Sequence, residues 1–165
     1  MTLVAATVVA WATLAIATEI WLATPLSTLI PLLVLAAGFE AAFAMHVGVE
    51  RIGRYLQVEY EGTEGAPAWE HTAMRFGAAP TPAAGRVDPL FSAMFLCAAV
   101  LNLVPSVLMT LGISGVWGEL ALVGVVHAVF IVRLIRARGY AAQQRELDLS
   151  ALTRQPAKSR SPEVP

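Results

Sequence analysis

Four ionisable side chains stand inside otherwise apolar sequence: Glu40, His46 and Glu50 in one run, His127 in another. An ionisable group held in hydrocarbon is costly, which makes each a candidate functional residue. Glu40 follows Leu29 by eleven residues and His127 follows Val116 by eleven. At about 1.5 Å per residue both lie about 16 Å along their runs, so a carboxylate–imidazole contact between Glu40 and His127 is expected. Such a pair serves either as a proton relay and coupling site or as a hydrogen bond that selects helix partners.

His46, Glu50 and Arg54 repeat at four-residue spacing, one face of a helix. With Glu70 and His71 from the segment that follows, His46 and Glu50 form a carboxylate–imidazole set able to ligate a metal ion. The same residues also read as a salt-bridge ladder ending in arginines that reach toward water. His46 and His127 are the pair available for bis-histidine haem b, with His46 nearer the charged end of its run by several ångströms. No cofactor is favoured over none. The Glu-x-x-His pair of di-iron bundles and the HExxH zinc motif are both absent. Glu19 and Glu119 sit near run ends, where a carboxylate reaches headgroups and, for Glu119, suits a helix N-terminus. Asn102 precedes Pro105 by one turn, and its amide is expected to help satisfy the carbonyl that a Pro105 kink frees near Leu101.

The elements that carry these residues follow from composition. Hydrophobic residues make up 57% of the 165 and charged residues 14%, against about 25% charge in soluble domains. Apolar runs cover about 2–23, 29–50, 89–111 and 116–135, each near the roughly 20 residues that cross ~30 Å of hydrocarbon. Backbone groups in lipid must be satisfied within the segment, which makes every run a helix. The first run lacks a basic leader and is too long for a signal core, so it is expected to be retained. The expected fold is all-α: a polytopic membrane protein with four transmembrane helices in an up-down bundle. The second and fourth helices extend into the cytoplasm. The membrane domain covers 1–140, interrupted by a loop at 51–88, and a partly disordered cytoplasmic tail follows at 141–165.

Every lysine and arginine lies in 51–86 or 133–160, and the short linkers 24–28 and 112–115 have none. The positive-inside rule therefore puts both termini and the 51–88 loop in the cytoplasm, in an inner membrane of prokaryotic type. Trp21 and Trp117 would mark the outer interface, and Tyr55 and Tyr60 the inner one. Within 51–88, Ala68–Phe76 has the composition of a short interfacial helix. Cys97 is the sole cysteine, which excludes an internal disulfide and zinc frameworks; its apolar setting suggests a buried small hydrophobe.

No glycine-rich phosphate loop exists, and the basic residues are mixed with acidic ones, so no nucleic-acid partner is expected. Little mass remains outside the spans for a catalytic domain, and an enzyme is not expected. The reading is a small non-catalytic subunit or scaffold of a membrane assembly, a homo-oligomer or a partner of other membrane subunits within the lipid bilayer. One alternative is a proton- or cation-coupled transporter or channel using Glu40, His46, Glu50 and His127. Another is a haem- or metal-binding membrane redox protein.

Overall fold

The structure, a computed structural model, describes residues 2–59, 89–112 and 115–154. Among them every element is helical: α1 (Thr2–Trp21), a 3-10 turn (Pro25–Thr28), α2 (Leu29–Glu59), α3 (Pro89–Gly112) and α4 (Trp117–Arg154). Each of the four α-helices is long and apolar enough to cross a bilayer. α2 has 31 residues and α4 has 38. At about 1.5 Å per residue both exceed the ~30 Å of hydrocarbon that a span must cover. α4 continues to Arg154, into the segment read as tail. Glu70, His71, the Ala68–Phe76 segment and the tail from 155 onward lie outside the described residues.

The chain divides into two compact units, Met1–Met45 with Val87–Arg138 and His46–Arg86 with Gly139–Pro165. The first unit holds the core. Leu32, Leu35 and Phe39 from α2, Phe95, Ala98 and Ala99 from α3, and Phe130, Leu134 and Ala137 from α4 are all buried together. Steps of three and four residues put each trio on one helix face. Phe39 is the centre of this cluster. Its ring meets Phe95 edge-on at 5.5 Å between centroids and Phe130 at 6.2 Å, and stacks on Phe43 at 5.8 Å. Such geometries contribute about 0.5–1.5 kcal/mol per pair beyond area burial. Cys97 is exposed rather than buried. The buried face of α3 runs through Phe95, Ala98, Ala99 and Asn102, and at about 100° per residue Cys97 falls well off that stripe.

α1 approaches α2 through Thr7 and Gly38, both buried. A Cβ on Gly38 would stand 2.8 Å from the Thr7 Cβ and closer still to its γ atoms. Glycine here removes the one atom that would hold the two backbones apart. Thr7, Thr13 and Thr18 return their hydroxyls to carbonyls of Leu3, Val9 and Leu14, the usual way a threonine satisfies itself in an apolar helix.

The linker expected at 24–28 is a helical turn with Pro25, Ser27 and Thr28 buried. α1 stops where Ala23 adopts a left-handed conformation, φ 46°. Pro25 then opens the turn with its preset φ, while Ser27 Oγ donates to Thr24 O at 2.6 Å and Thr28 Oγ1 to Pro25 O at 3.0 Å. This turn passes directly into α2, where Pro31 sits in the first turn and its missing N–H matters least. Just before α4, Gly115 adopts φ 104°, a conformation open to glycine at no steric cost.

Candidate functional site

The buried stripe of α3 changes character along its length. Phe95, Ala98 and Ala99 give way to Asn102, Ser106 and Thr110, all at most 3% exposed. Spaced four apart, these three polar side chains share one helix face, and they organise a network that joins α1, the 3-10 turn, α3 and α4.

Asn102 is the hub. Trp11 Nε1 donates to Asn102 Oδ1 at 3.0 Å, Asn102 Nδ2 donates to Thr28 O at 2.7 Å, and Nδ2 lies 3.1 Å from His127 Nε2. An indole N–H can only donate and a carbonyl can only accept, which fixes the amide orientation. His127 Nδ1 is 2.8 Å from Val123 O. That carbonyl requires a proton on Nδ1, so Nε2 is the acceptor and takes the second Asn102 N–H. Both ring nitrogens and all three amide positions are then engaged. Further along α3, Ser106 Oγ lies 2.8 Å from Pro25 O and 2.8 Å from Thr28 Oγ1. Thr110 Oγ1 donates to Ser106 O at 2.8 Å. Two hydroxyl protons serve three short contacts among Ser106, Thr28 and Pro25.

Glu40 and His127 are not partners. Glu40 Oε2 accepts from Arg133 Nη2 at 2.7 Å, with the two side chains 48% and 39% exposed. Depth explains the difference. The Thr28 carbonyl is level with the hub that touches His127, so α2 is already deep in the bundle at Leu29. Glu40 lies twelve residues, or about 18 Å, further along. Counting from Leu29 as the entry point placed Glu40 a turn or more too near His127. Arg133 also lies over the rings of Phe39 and Phe43, 5.8 and 5.2 Å from their centroids. Glu40→Gln should therefore cost less stability than Arg133→Gln. Their coupling in a double-mutant cycle of detergent unfolding should stay below about 1 kcal/mol for so exposed a pair. A coupling of several kcal/mol would mean that another molecule covers the pair.

In the second unit, His46 Nε2 lies 3.4 Å from Glu50 Oε1, long for a hydrogen bond, and Glu50 Oε2 lies 3.2 Å from Arg54 Nη1. The ladder expected from the spacing is present. No group of three or more candidate ligands that could hold a metal ion occurs among the described residues. Both His127 ring nitrogens have hydrogen-bond partners, Asn102 Nδ2 and Val123 O. Asn102 turns its amide across the bundle to Thr28 and His127, not to the Leu101 carbonyl. Pro105 lies inside α3 as expected.

No family model, curated protein or solved structure matches the chain.

Trp11, Thr28, Ser106 and Thr110 carry the network, yet none stands out by residue type. The one signal in the sequence is the polar repeat Asn102–Ser106–Thr110 at helical spacing within an apolar run. Glu19 also differs from expectation. It shares a face of α1 with Trp11 and Ala15 at four-residue steps, and these residues line a cleft with α3. Its Oε1 is buried, and among the described residues no donor reaches it.

Proposed function

We propose that this chain is a small integral membrane protein that acts as a non-catalytic subunit or scaffold of a membrane assembly. We place it in a cytoplasmic membrane of prokaryotic type, as an up-down bundle. In this reading both termini, the 51–88 segment and the far ends of α2 and α4 lie in the cytoplasm. The observation that carries the functional part is the closed network around Asn102. Its polar groups satisfy one another across four elements, which is how buried polarity specifies helix packing. The orientation rests on the confinement of all eleven lysines and arginines to 51–86 and 133–160. Exposed Trp21 and Trp117 at the ends of α1 and α4 agree with an outer aromatic belt. Val9, Ile16, Leu33, Leu108, Val125 and Val129 leave apolar surface on all four helices for lipid or a neighbouring subunit.

Native mass spectrometry from mild detergent tests the assembly. A species heavier than one 17.5 kDa chain with its lipids is expected, either a homo-oligomer or a complex with other membrane subunits. A bare monomer under conditions that keep it folded would count against a scaffold. For the orientation, Arg75→Cys in a Cys97→Ser background should react with an impermeant maleimide only after the cytoplasmic face is opened. Labelling in intact cells would reverse the topology. The transporter alternative requires Glu40 and His127 to leave the partners they have here. It predicts that Glu40→Gln or His127→Ala abolishes pH-dependent flux in proteoliposomes, whereas the scaffold reading predicts altered assembly or stability instead.

A further inference from the structure

A cleft of about 230 Å³ opens between α1 and α3 beside the start of α2, with Trp11, Ala15 and Glu19 on one wall and Leu101, Asn102 and Pro105 on the other. It is below the size of a drug-like pocket. Its hydrogen-bonding balance is one-sided. The donors on its walls are spent: Trp11 Nε1 on Asn102, Asn102 Nδ2 on Thr28 O and His127, Thr28 Oγ1 on Pro25 O, and Thr18 Oγ1 on Leu14 O and Ala15 O. Acceptors remain. Glu19 Oε1 is buried with no donor among the described residues. Pro105 has no amide hydrogen to return to Leu101 O, its regular helical partner. Among the described residues no lysine, arginine or histidine lines the cleft.

We propose that this cleft binds a small primary ammonium ion, with the Glu19 carboxylate as its counter-ion. A buried carboxylate oxygen with no hydrogen bond is disfavoured, and an ammonium group supplies an opposite charge and N–H donors for more than one acceptor. The walls are otherwise apolar, which suits a short hydrocarbon or aromatic body. A metal ion is a poorer match, since a hard cation needs several oxygen ligands and Glu19 is the only carboxylate lining the cleft among the described residues. A quaternary ammonium would bring charge but no N–H. The proposal goes beyond the scaffold reading and does not depend on it, because assembly and amine binding are measured separately.

Calorimetric titration of the full chain in lipid nanodiscs with benzylamine, and in parallel with its neutral counterpart benzyl alcohol, tests the site. Saturable one-site binding of benzylamine is expected, with benzyl alcohol weaker by about tenfold or more. Glu19→Gln should lose about tenfold or more in affinity for the amine while keeping its helix content. Ala15→Leu fills the cleft while leaving the Glu19 carboxylate in the chain and should abolish binding. Absence of saturable heat for the folded wild type up to about 10 mM benzylamine would overturn the proposal, as would equal affinity for the alcohol or undiminished binding by Glu19→Gln. Should Glu19→Gln fail to fold, Ala15→Leu decides alone, and retained binding there overturns it.

Discussion

Asn102→Ala should destabilise the protein by about 2–4 kcal/mol in detergent unfolding, the largest loss from any single polar residue in the spans. Three hydrogen bonds end on this side chain, from Trp11, to Thr28 O and to His127. Interhelical hydrogen bonds in membrane proteins average about 0.6 kcal/mol and reach about 1.7, so three of them bracket that range. Truncation also strands an indole N–H, a carbonyl and an imidazole nitrogen at a site 3% exposed, where an unsatisfied group costs about 1–3 kcal/mol. Asn102→Asp separates the hydrogen bonds from the packing. Aspartate has nearly the same shape, but its carboxylate has no N–H for Thr28 O or for His127 Nε2. It should be at least as destabilising as alanine. His127→Ala removes one contact to the hub and should cost less. Wild-type stability of Asn102→Asp would show that the amide is not oriented as described here.

Gly38→Leu should be comparably damaging for a steric reason, and Gly38→Ala milder in the same direction. Even a single Cβ would come within 2.8 Å of the Thr7 Cβ. Both atoms are anchored close to helix backbone, so α1 and α2 must separate. Overpacking of this kind costs typically about 1–3 kcal/mol. Separation also loosens the position of Trp11, one turn beyond Thr7 on α1, and with it the bond to Asn102. The diagnostic experiment is a double mutant. Thr7→Ala deletes the γ atoms that crowd the site and should recover a large part of the loss from Gly38→Ala. The coupling should be about 0.5–3 kcal/mol, as for residues in direct contact. Strict additivity of the two substitutions would mean that the helices do not meet at this point.

The second prediction bears on the first. Trp11 reaches Asn102 across 91 residues of sequence, and the α1–α2 contact at Gly38 is part of what holds it there. A thermal melt followed by tryptophan fluorescence should therefore show the Gly38→Leu variant losing structure around α1 before the α2–α3–α4 aromatic core is lost. That core has its own contacts through Phe39, Phe95 and Phe130.

The four helices long and apolar enough to cross a membrane were legible in the sequence because they are a local property. A run of some twenty apolar residues with no water to satisfy its backbone has one regular conformation open to it. The breaks are local too: Pro89 starts α3, and Gly115 precedes α4 where φ is positive. The ladder His46–Glu50–Arg54 was readable for the same reason, since partners four residues apart on one helix meet wherever that helix lies. What the sequence left open was how the helices rotate and slide against one another. Glu40 and His127 share a nominal depth along their runs, yet the buried 3-10 turn sets α2 deep in the bundle and carries Glu40 to Arg133. Asn102 binds partners 91, 74 and 25 residues away, and Glu19 turns out to have a buried oxygen in a cleft. Azimuth and axial offset have no signature in an apolar run, because lipid accepts any face equally. Only the packing of Gly38 on Thr7, the Phe39 cluster and the Asn102 network chooses among them.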